Sequence, residues 1–265
     1  MAPWSGKWAL VTGASAGIGK ALAEELARGG THLLLTARRA DRLTELARQL
    51  SSAHTIQTKV FVADLADAAA PEKIFQFTKD QGLEIEVLVN NAGFGAYGEF
   101  STVETRRLTE MVQVNCSAVV HLTRLFLPEM KARRHGSVLI VASTASFQAV
   151  PYISTYAATK AFDLLFAEGL AEEMKPYGVH VCALCPGSTE SEFAEVAGQT
   201  QVTAARRHRE TAEKVARTGL RALAAGRSYK ISGLANYMGV ISQRIVSRGL
   251  VTRVAAKMFR PENQK

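Results

Sequence analysis

Short apolar runs alternating with stretches of helical period constrain what this chain can fold into more than any other feature. The runs cover 7–12, 31–37, 59–63, 85–90, 137–143 and 179–184, and a last one is expected within 221–231. Helical patterns fill the gaps at 17–28, 39–51, 68–80, 103–133 and 154–175, the last ending before Pro176. Runs apolar on both sides predict strands buried on both faces, and strand–helix alternation places them in a parallel sheet covered by helices. Right-handed crossovers make that sheet doubly wound, an α/β fold that binds ligands beyond the carboxyl ends of its strands. No linker, repeat or low-complexity stretch divides the chain, so 1–265 is expected to be a single domain.

The first strand runs into Thr12-Gly13-Ala14-Ser15-Ala16-Gly17-Ile18-Gly19. Glycines permit a tight turn and close approach of backbone to a pyrophosphate, and the following helix offers free N–H groups and a positive dipole end. In this strand–turn–helix setting, Gly13, Ser15, Gly17, Ile18 and Gly19 read as the phosphate cradle of a Rossmann-type dinucleotide site. An NAD site presents a carboxylate about 20 residues further on. Here the second strand ends Leu35-Thr36-Ala37-Arg38-Arg39. Arg38 can hold a 2′-phosphate bidentately, which favours NADP, whereas Arg39 reads as solvent charge at a helix start. Asp64 and Leu65 end the third strand and are placed to meet adenine. Asn91, Ala92 and Gly93 follow the fourth, their small size letting a cofactor lie flat above the sheet.

Tyr156 and Lys160 stand four residues apart in a helical stretch, and of the six tyrosines only this one has a lysine at that spacing. Four residues apart means one helix face. A free phenol titrates near pH ~10, and an adjacent ammonium favours phenolate, so the expectation is a phenol tuned toward acid–base work.

Composition narrows the class. No apolar run approaches the ~18 residues of a membrane-spanning helix, and residues 1–7 lack a basic-then-apolar leader pattern, so a cytoplasmic location is expected. Cys182 and Cys185 have redox or zinc spacing, but no second Cys/His pair accompanies them. They read as core thiols of a buried strand, and no metal site is expected. The net charge of +8 is concentrated after Gln201, where fourteen Lys/Arg face three acids. No recognition motif accompanies that charge, so nucleic acid is not expected as a partner.

Together these pieces resemble the short-chain dehydrogenase/reductase family. The likeness covers about residues 5–195: the glycine turn, Asn90 to Gly93, Asn115, Ser143, Tyr156 with Lys160, and Pro186-Gly187, in the family's order. It implies about seven strands and hydride transfer between NADP(H) and a carbonyl or secondary alcohol in one dinucleotide-binding catalytic domain. It further implies that Tyr156 is the acid in reduction and that Ser143 polarises the carbonyl. Lys160 would tune Tyr156 and hold the nicotinamide ribose, and Asn115 would support a relay to Lys160. Pro186, Gly187, Thr189 and Ser191 would complete the cofactor wall, and the family's habit implies a homo-oligomer. Two features depart from the pattern: Ser191 stands where threonine is frequent, and Ala14, Ser15 and Ala16 include no basic residue, leaving NADP preference to Arg38.

Phe94, Ala145, Phe147, Tyr152 and Phe193 flank these positions and suggest a lipophilic substrate wall. A substrate lid is expected over 190–225, with a basic amphipathic helix at 203–225. A second basic amphipathic segment, 233–260, forms a helical C-terminal extension; Arg244, Arg248, Arg253, Lys257 and Arg260 alternate there with apolar residues. Such a segment can dock on protein, the preferred reading, or lie on an anionic membrane, making the protein membrane-peripheral. A non-catalytic nucleotide-binding regulator or membrane-peripheral scaffold is the competing functional class. The presence of Ser143, Tyr156, Lys160 and Asn115 together argues against it.

Overall fold

The computed structural model describes residues 3–199 and 209–261. A parallel sheet runs through the molecule: β1 (Trp8–Thr12), β2 (His32–Ala37), β3 (Thr58–Val62), β4 (Ile85–Asn90), β5 (Gly136–Val141), β6 (Val179–Cys185) and β7 (Tyr229–Ile231). Their order is β3-β2-β1-β4-β5-β6-β7, a seven-stranded Rossmann-type sheet whose winding reverses between β1 and β4.

Period-two alternation divides the core. Ala9, Val11, Leu33, Leu35, Val87 and Val89 face one layer, and Leu10, Leu34, Leu88, Val138 and Ile140 face the other. The first layer lies under α1 (Gly17–Arg28) and α2 (Ala40–Ala53), the second under α3 (Ala70–Asp80), α5 (Ala118–Arg133) and α6 (Ser154–Met174). Burying each such leucine stabilises by ~1.5–3 kcal/mol. The two thiols of β6 illustrate the geometry. Three positions apart on a strand, Cys182 and Cys185 fall on opposite faces of the sheet and into different core layers, so they cannot bridge or share an ion.

The helical stretch expected at 103–133 is α4 (Thr105–Val112), a π-helical turn (Gln113–Ser117) and α5 in continuous succession. Sequence period cannot reveal the π-turn, because apolar spacing is nearly unchanged across one wider turn.

Two expectations need correction. The lid range 190–225 is not one element. α7 (Phe193–Val196) crosses the cleft described below, residues 200–208 lie outside the described residues, and α8 (Ala212–Ala224) covers the sheet. Val215, Ala216 and Leu223 of α8 are fully buried, and Gly219 sits so close to β6 that a Cβ there would meet Leu184 Cδ2 at 2.6 Å. An amphipathic period is common to lids and sheet-covering helices, so the sequence could not separate them. The segment 233–260 is two helices, α9 (Leu234–Ser242) and α10 (Arg248–Phe259), broken by a 3-10 turn (Gln243–Ile245) and extended backbone at Val246 and Ser247.

Candidate active site

Beyond the carboxyl ends of β1, β2, β4, β5 and β6 lies a cleft of about 1050 Å³. Its amino-terminal end is the glycine turn. Gly13 and Gly17 have φ of +65° and +54°, values that favour glycine. A Cβ at Gly19 would lie 2.3 Å from Gly13 O and 2.4 Å from Asn91 Nδ2. Asn91 explains that tightness: its Nδ2 donates to Thr12 O (2.8 Å) and Gly13 O (3.3 Å). The backbone N–H groups of Asn91 and Ala92 both donate to Thr12 Oγ1, at 2.9 and 3.0 Å. Asn91 therefore stitches β4 onto the turn. α1 begins at Gly17 after Ala16, whose side chain cannot cap it, and has no acid in its first turn, so its leading N–H groups remain available to an anion.

Arg38 lies 3.9 Å from Asp64, joining the ends of β2 and β3. Arg39, read from sequence as solvent charge, instead turns into the site. Its Nε and Nη2 donate to Ser15 Oγ at 3.2 and 3.1 Å, and its Nη1 to Glu192 at 2.6 Å. Arg42 grips the same carboxylate at 2.6 Å, and these two bonds hold the Glu192 pKa below the ordinary glutamate value. No sequence signal pairs Arg39 with Glu192, 153 positions away.

Lys160 is buried, and its ammonium donates to Val141 O at 2.7 Å and Asp163 Oδ2 at 2.9 Å. Tyr156 lies one turn earlier on α6, and Ser143, at the end of β5, is near enough to favour its phenolate. Ser143 also caps the following 3-10 turn (Thr144–Phe147): its Oγ accepts from Ala145 N at 3.1 Å. Ser146 Oγ accepts from Ser143 N at 3.3 Å and donates to Lys160 O at 2.6 Å, tying β5's end to α6.

Burial is the largest influence on the Tyr156 phenol and pushes its pKa above the ordinary tyrosine value; Lys160 and Ser143 pull it down by less, and Asp163 pushes it up. Lys160 thus acts on the phenol in the expected direction, but burial outweighs it and the net shift is upward. Burial likewise opposes the Lys160 ammonium, but Asp163 and Tyr156 more than offset it, leaving the pKa above the ordinary lysine value.

Asn115, on the π-turn, is fully buried. Its Oδ1 accepts from Phe94 N at 3.1 Å, and its Nδ2 donates to Phe94 O and Thr159 Oγ1, each at 3.0 Å. The side chain therefore braces the loop after β4 against α6; it does not line the cleft, where Val114 does. Gly93 lies against it: a Cβ there would be 3.1 Å from Asn115 Oδ1 and 3.4 Å from Lys160 Nζ.

Pro186, Gly187, Thr189 and Ser191 line the cleft after β6, as do Ile18, Leu65 and Ala92. Gly187 packs so tightly that a Cβ would meet Asn236 Nδ2 at 2.5 Å, and Ser191 Cβ lies 3.0 Å from where Gly17 would carry one. Of the expected substrate-wall residues, Phe94, Ala145 and Phe193 line the cleft, and the Phe193 ring lies 5.0 Å from that of Tyr156. Phe147 and Tyr152 do not. Phe147 packs on Tyr229 at 6.3 Å between ring centroids, and Tyr152 adopts φ +67° with its carbonyl accepting from Gly98 N. The cleft's roof comes instead from α10 and the segment before it, through Val246, Leu250, Val251, Val254 and Met258. Tyr97 fastens this roof by donating to Phe259 O at 2.7 Å.

The fold and this arrangement meet in the comparisons with known proteins. The short chain dehydrogenase model matches residues 7–202. The chain belongs to the short-chain dehydrogenase/reductase family. It is 37% identical over 201 residues to very-long-chain 3-oxoacyl-CoA reductase-A of Danio rerio, covering 74% of this chain and 62% of that one. It is 36% identical over 198 residues to very-long-chain 3-oxoacyl-CoA reductase of Bos taurus, covering 73% and 63%. The match thus spans less than two thirds of those relatives' length. Among solved structures, a short-chain dehydrogenase from Sphingobium yanoikuyae in complex with NADPH aligns with TM-score 0.80, 28% identity, and 92% and 95% coverage of the two chains. The bulky-bulky ketone specific alcohol dehydrogenase from Comamonas testosteroni aligns at TM-score 0.77, 26% identity, and 92% and 93% coverage.

Proposed function

We propose that this protein is an NADPH-dependent reductase of lipophilic carbonyl compounds. The observation that carries the reading is the joint position of Ser143, Tyr156 and Lys160 on the wall of a cleft that begins at a glycine cradle and ends under an apolar roof. The cradle fits a dinucleotide: its glycines have no room for side chains, and α1 offers uncapped N–H groups. Arg38 and Arg39 supply the guanidinium groups that favour a 2′-phosphate. NADPH, when bound, supplies the hydride. Ser143 donates a hydrogen bond to the substrate carbonyl oxygen, Tyr156 Oη gives that oxygen its proton, and the Lys160 ammonium holds ribose hydroxyls and orients the phenol. Asn115 acts as a brace whose backbone supports a relay to Lys160.

Because the phenol is held protonated, the site is poised to donate. Reduction should persist through neutral pH and fall as pH rises through the raised Tyr156 pKa, whereas oxidation should rise over the same interval. The roof of Leu250, Val254 and Met258 supports an alkyl or ring-bearing substrate, in keeping with relatives named for 3-oxoacyl-CoA and bulky ketones.

Two wider readings belong to the same proposal. Val112, Val120, Phe162 and Leu165 are exposed on α4, α5 and α6 and offer a face for a second copy of the chain. In the same proposal the protein is cytoplasmic and its α9–α10 segment docks on the body of the protein, where α10 lines the cleft, with a peripheral hold on anionic membrane as the alternative. No helix among the described residues is long and apolar enough to cross a membrane. Liposome co-sedimentation of the full chain and a form truncated after Gly239 tests the membrane contact, and equal sedimentation rejects it. The central test is a ketone and aldehyde panel followed by NADPH absorbance, with NADPH and NADH affinities measured in parallel. NADPH binding without turnover on any carbonyl would restore the regulator reading.

A further inference from the structure

Tyr156, Lys160 and Asp163 occupy positions i, i+4 and i+7 of α6 and share one helix face. Asp163 is 1% exposed at its side chain and sits 2.9 Å from the Lys160 ammonium. Its second oxygen, Oδ1, is buried without a hydrogen-bond partner. As a folding device this is a poor choice, since a buried ion pair adds little net stability over apolar residues of similar volume and an unpaired buried oxygen costs more. Its consequence lies in charge balance. Tyr156 stands half-buried on the cleft wall beside the buried Lys160–Asp163 pair. Burial pushes the Asp163 carboxyl above the ordinary aspartate value and Lys160 pulls it back by less. With Lys160 charged, Tyr156 a phenol and Asp163 a carboxylate, the three together are neutral. Removing one proton from the Tyr156–Lys160 pair then leaves a net negative charge beside a buried carboxylate. Without Asp163 the same loss would leave the site neutral.

We propose that Asp163 is a positioning residue that keeps the Tyr156–Lys160 pair fully protonated and so biases the site toward giving a proton to a carbonyl. The proposal rests on the reductase reading above and deepens it by assigning the group that sets the phenol's protonation range. Asp163 also fixes where the ammonium points. A lysine has three N–H donors; Val141 O and Asp163 take two, leaving one for the cleft. The other groups acting on the pair do not compete with this role. Ser143 approaches from the end of β5, the Cys116 thiol from the π-turn and the Cys185 thiol from β6, while Glu168 lies further along α6 and acts on Cys185. Burial pushes Cys116 up to about 11 and Cys185 higher still, so both remain uncharged thiols. Asp163 is the carboxylate in contact with Lys160.

The test uses the full chain as wild type, D163N and D163L, with tyrosine labelled at the ring ζ-carbon and Y156F to assign the resonance of residue 156. NMR titration needs no substrate. Both variants are expected to lower the Tyr156 midpoint by about one pH unit or more, a tenfold change in the protonation equilibrium. The falling limb of carbonyl reduction and the rising limb of alcohol oxidation should both move to lower pH with it. D163N keeps the shape and still accepts from Lys160, so it carries the test if D163L does not fold. An unmoved Tyr156 midpoint in a D163N protein that binds NADPH overturns the inference, as does a shift in D163L alone, which would assign the effect to packing. A midpoint shift with no turnover on any carbonyl would refute the reductase function and leave the charge coupling standing. Turnover with an unmoved midpoint would refute the coupling and leave the function.

Discussion

At one end of the cleft, Thr12, Gly13, Gly19 and Asn91 interlock through hydrogen bonds of 2.8–3.3 Å and contacts that leave no space for a methyl group. At the other end, α10 lays apolar side chains over the opening, several of them half exposed: Leu250 is 48% accessible, Val254 50% and Met258 41%. The first region is over-determined, with each atom held by several others. The second is held by few contacts, among them the bond from Tyr97 to Phe259 O. The contrast separates tasks. A dinucleotide has one shape and is met by rigid backbone, whereas a lipophilic substrate is met by a surface whose residues can change without disturbing the sheet.

Substitutions on the two sides break or sharpen this contrast. The largest effect is expected from Gly19→Ala. Its Cβ would fall 2.3 Å from a backbone carbonyl, so stability should drop by about 3 kcal/mol and NADPH binding should be lost. Denaturant unfolding and NADPH fluorescence measure both, and a stable, cofactor-binding variant would show the turn to be looser than described. Next is Tyr156→Phe, which should lower kcat about 10²- to 10⁴-fold while leaving NADPH affinity intact. Substantial turnover would reject Tyr156 as the acid. Arg38→Ala should weaken NADPH about ten- to a hundredfold and NADH far less. Equal losses for both cofactors would remove Arg38 from 2′-phosphate recognition and pass that role to Arg39. The smallest effect belongs to the roof. Leu250→Ser should raise KM for a long-chain carbonyl about five- to tenfold with little change in melting temperature. A large loss of stability there would mean that the roof is part of the core.

Much of this was legible in the chain. β4 is bounded as its apolar run suggested, at Ile85–Asn90, and α1 as its period suggested, at Gly17–Arg28. Asn115 was legible as a residue of interest but not as a brace, because its partners, Phe94 and Thr159, are remote in sequence and its π-turn leaves the apolar period intact. Asp163 gave no signal: a charged residue in a helix is ordinarily solvated, and only packing shows this one buried against Lys160. Phe147 and Tyr152 failed as wall residues because adjacency to a catalytic position does not decide which way a side chain is turned.

By itself the sequence determined the strand–helix order, the glycine turn and the one-face spacing of Tyr156 and Lys160. Each follows from local backbone geometry, which repeats at fixed intervals along a chain. Only the tertiary structure decided that Arg39 meets Glu192, that α8 covers the sheet, that α10 roofs the cleft, and that burial outweighs Lys160 at the phenol. These depend on the distances and solvent exclusion that packing creates between distant segments, and no local pattern encodes either.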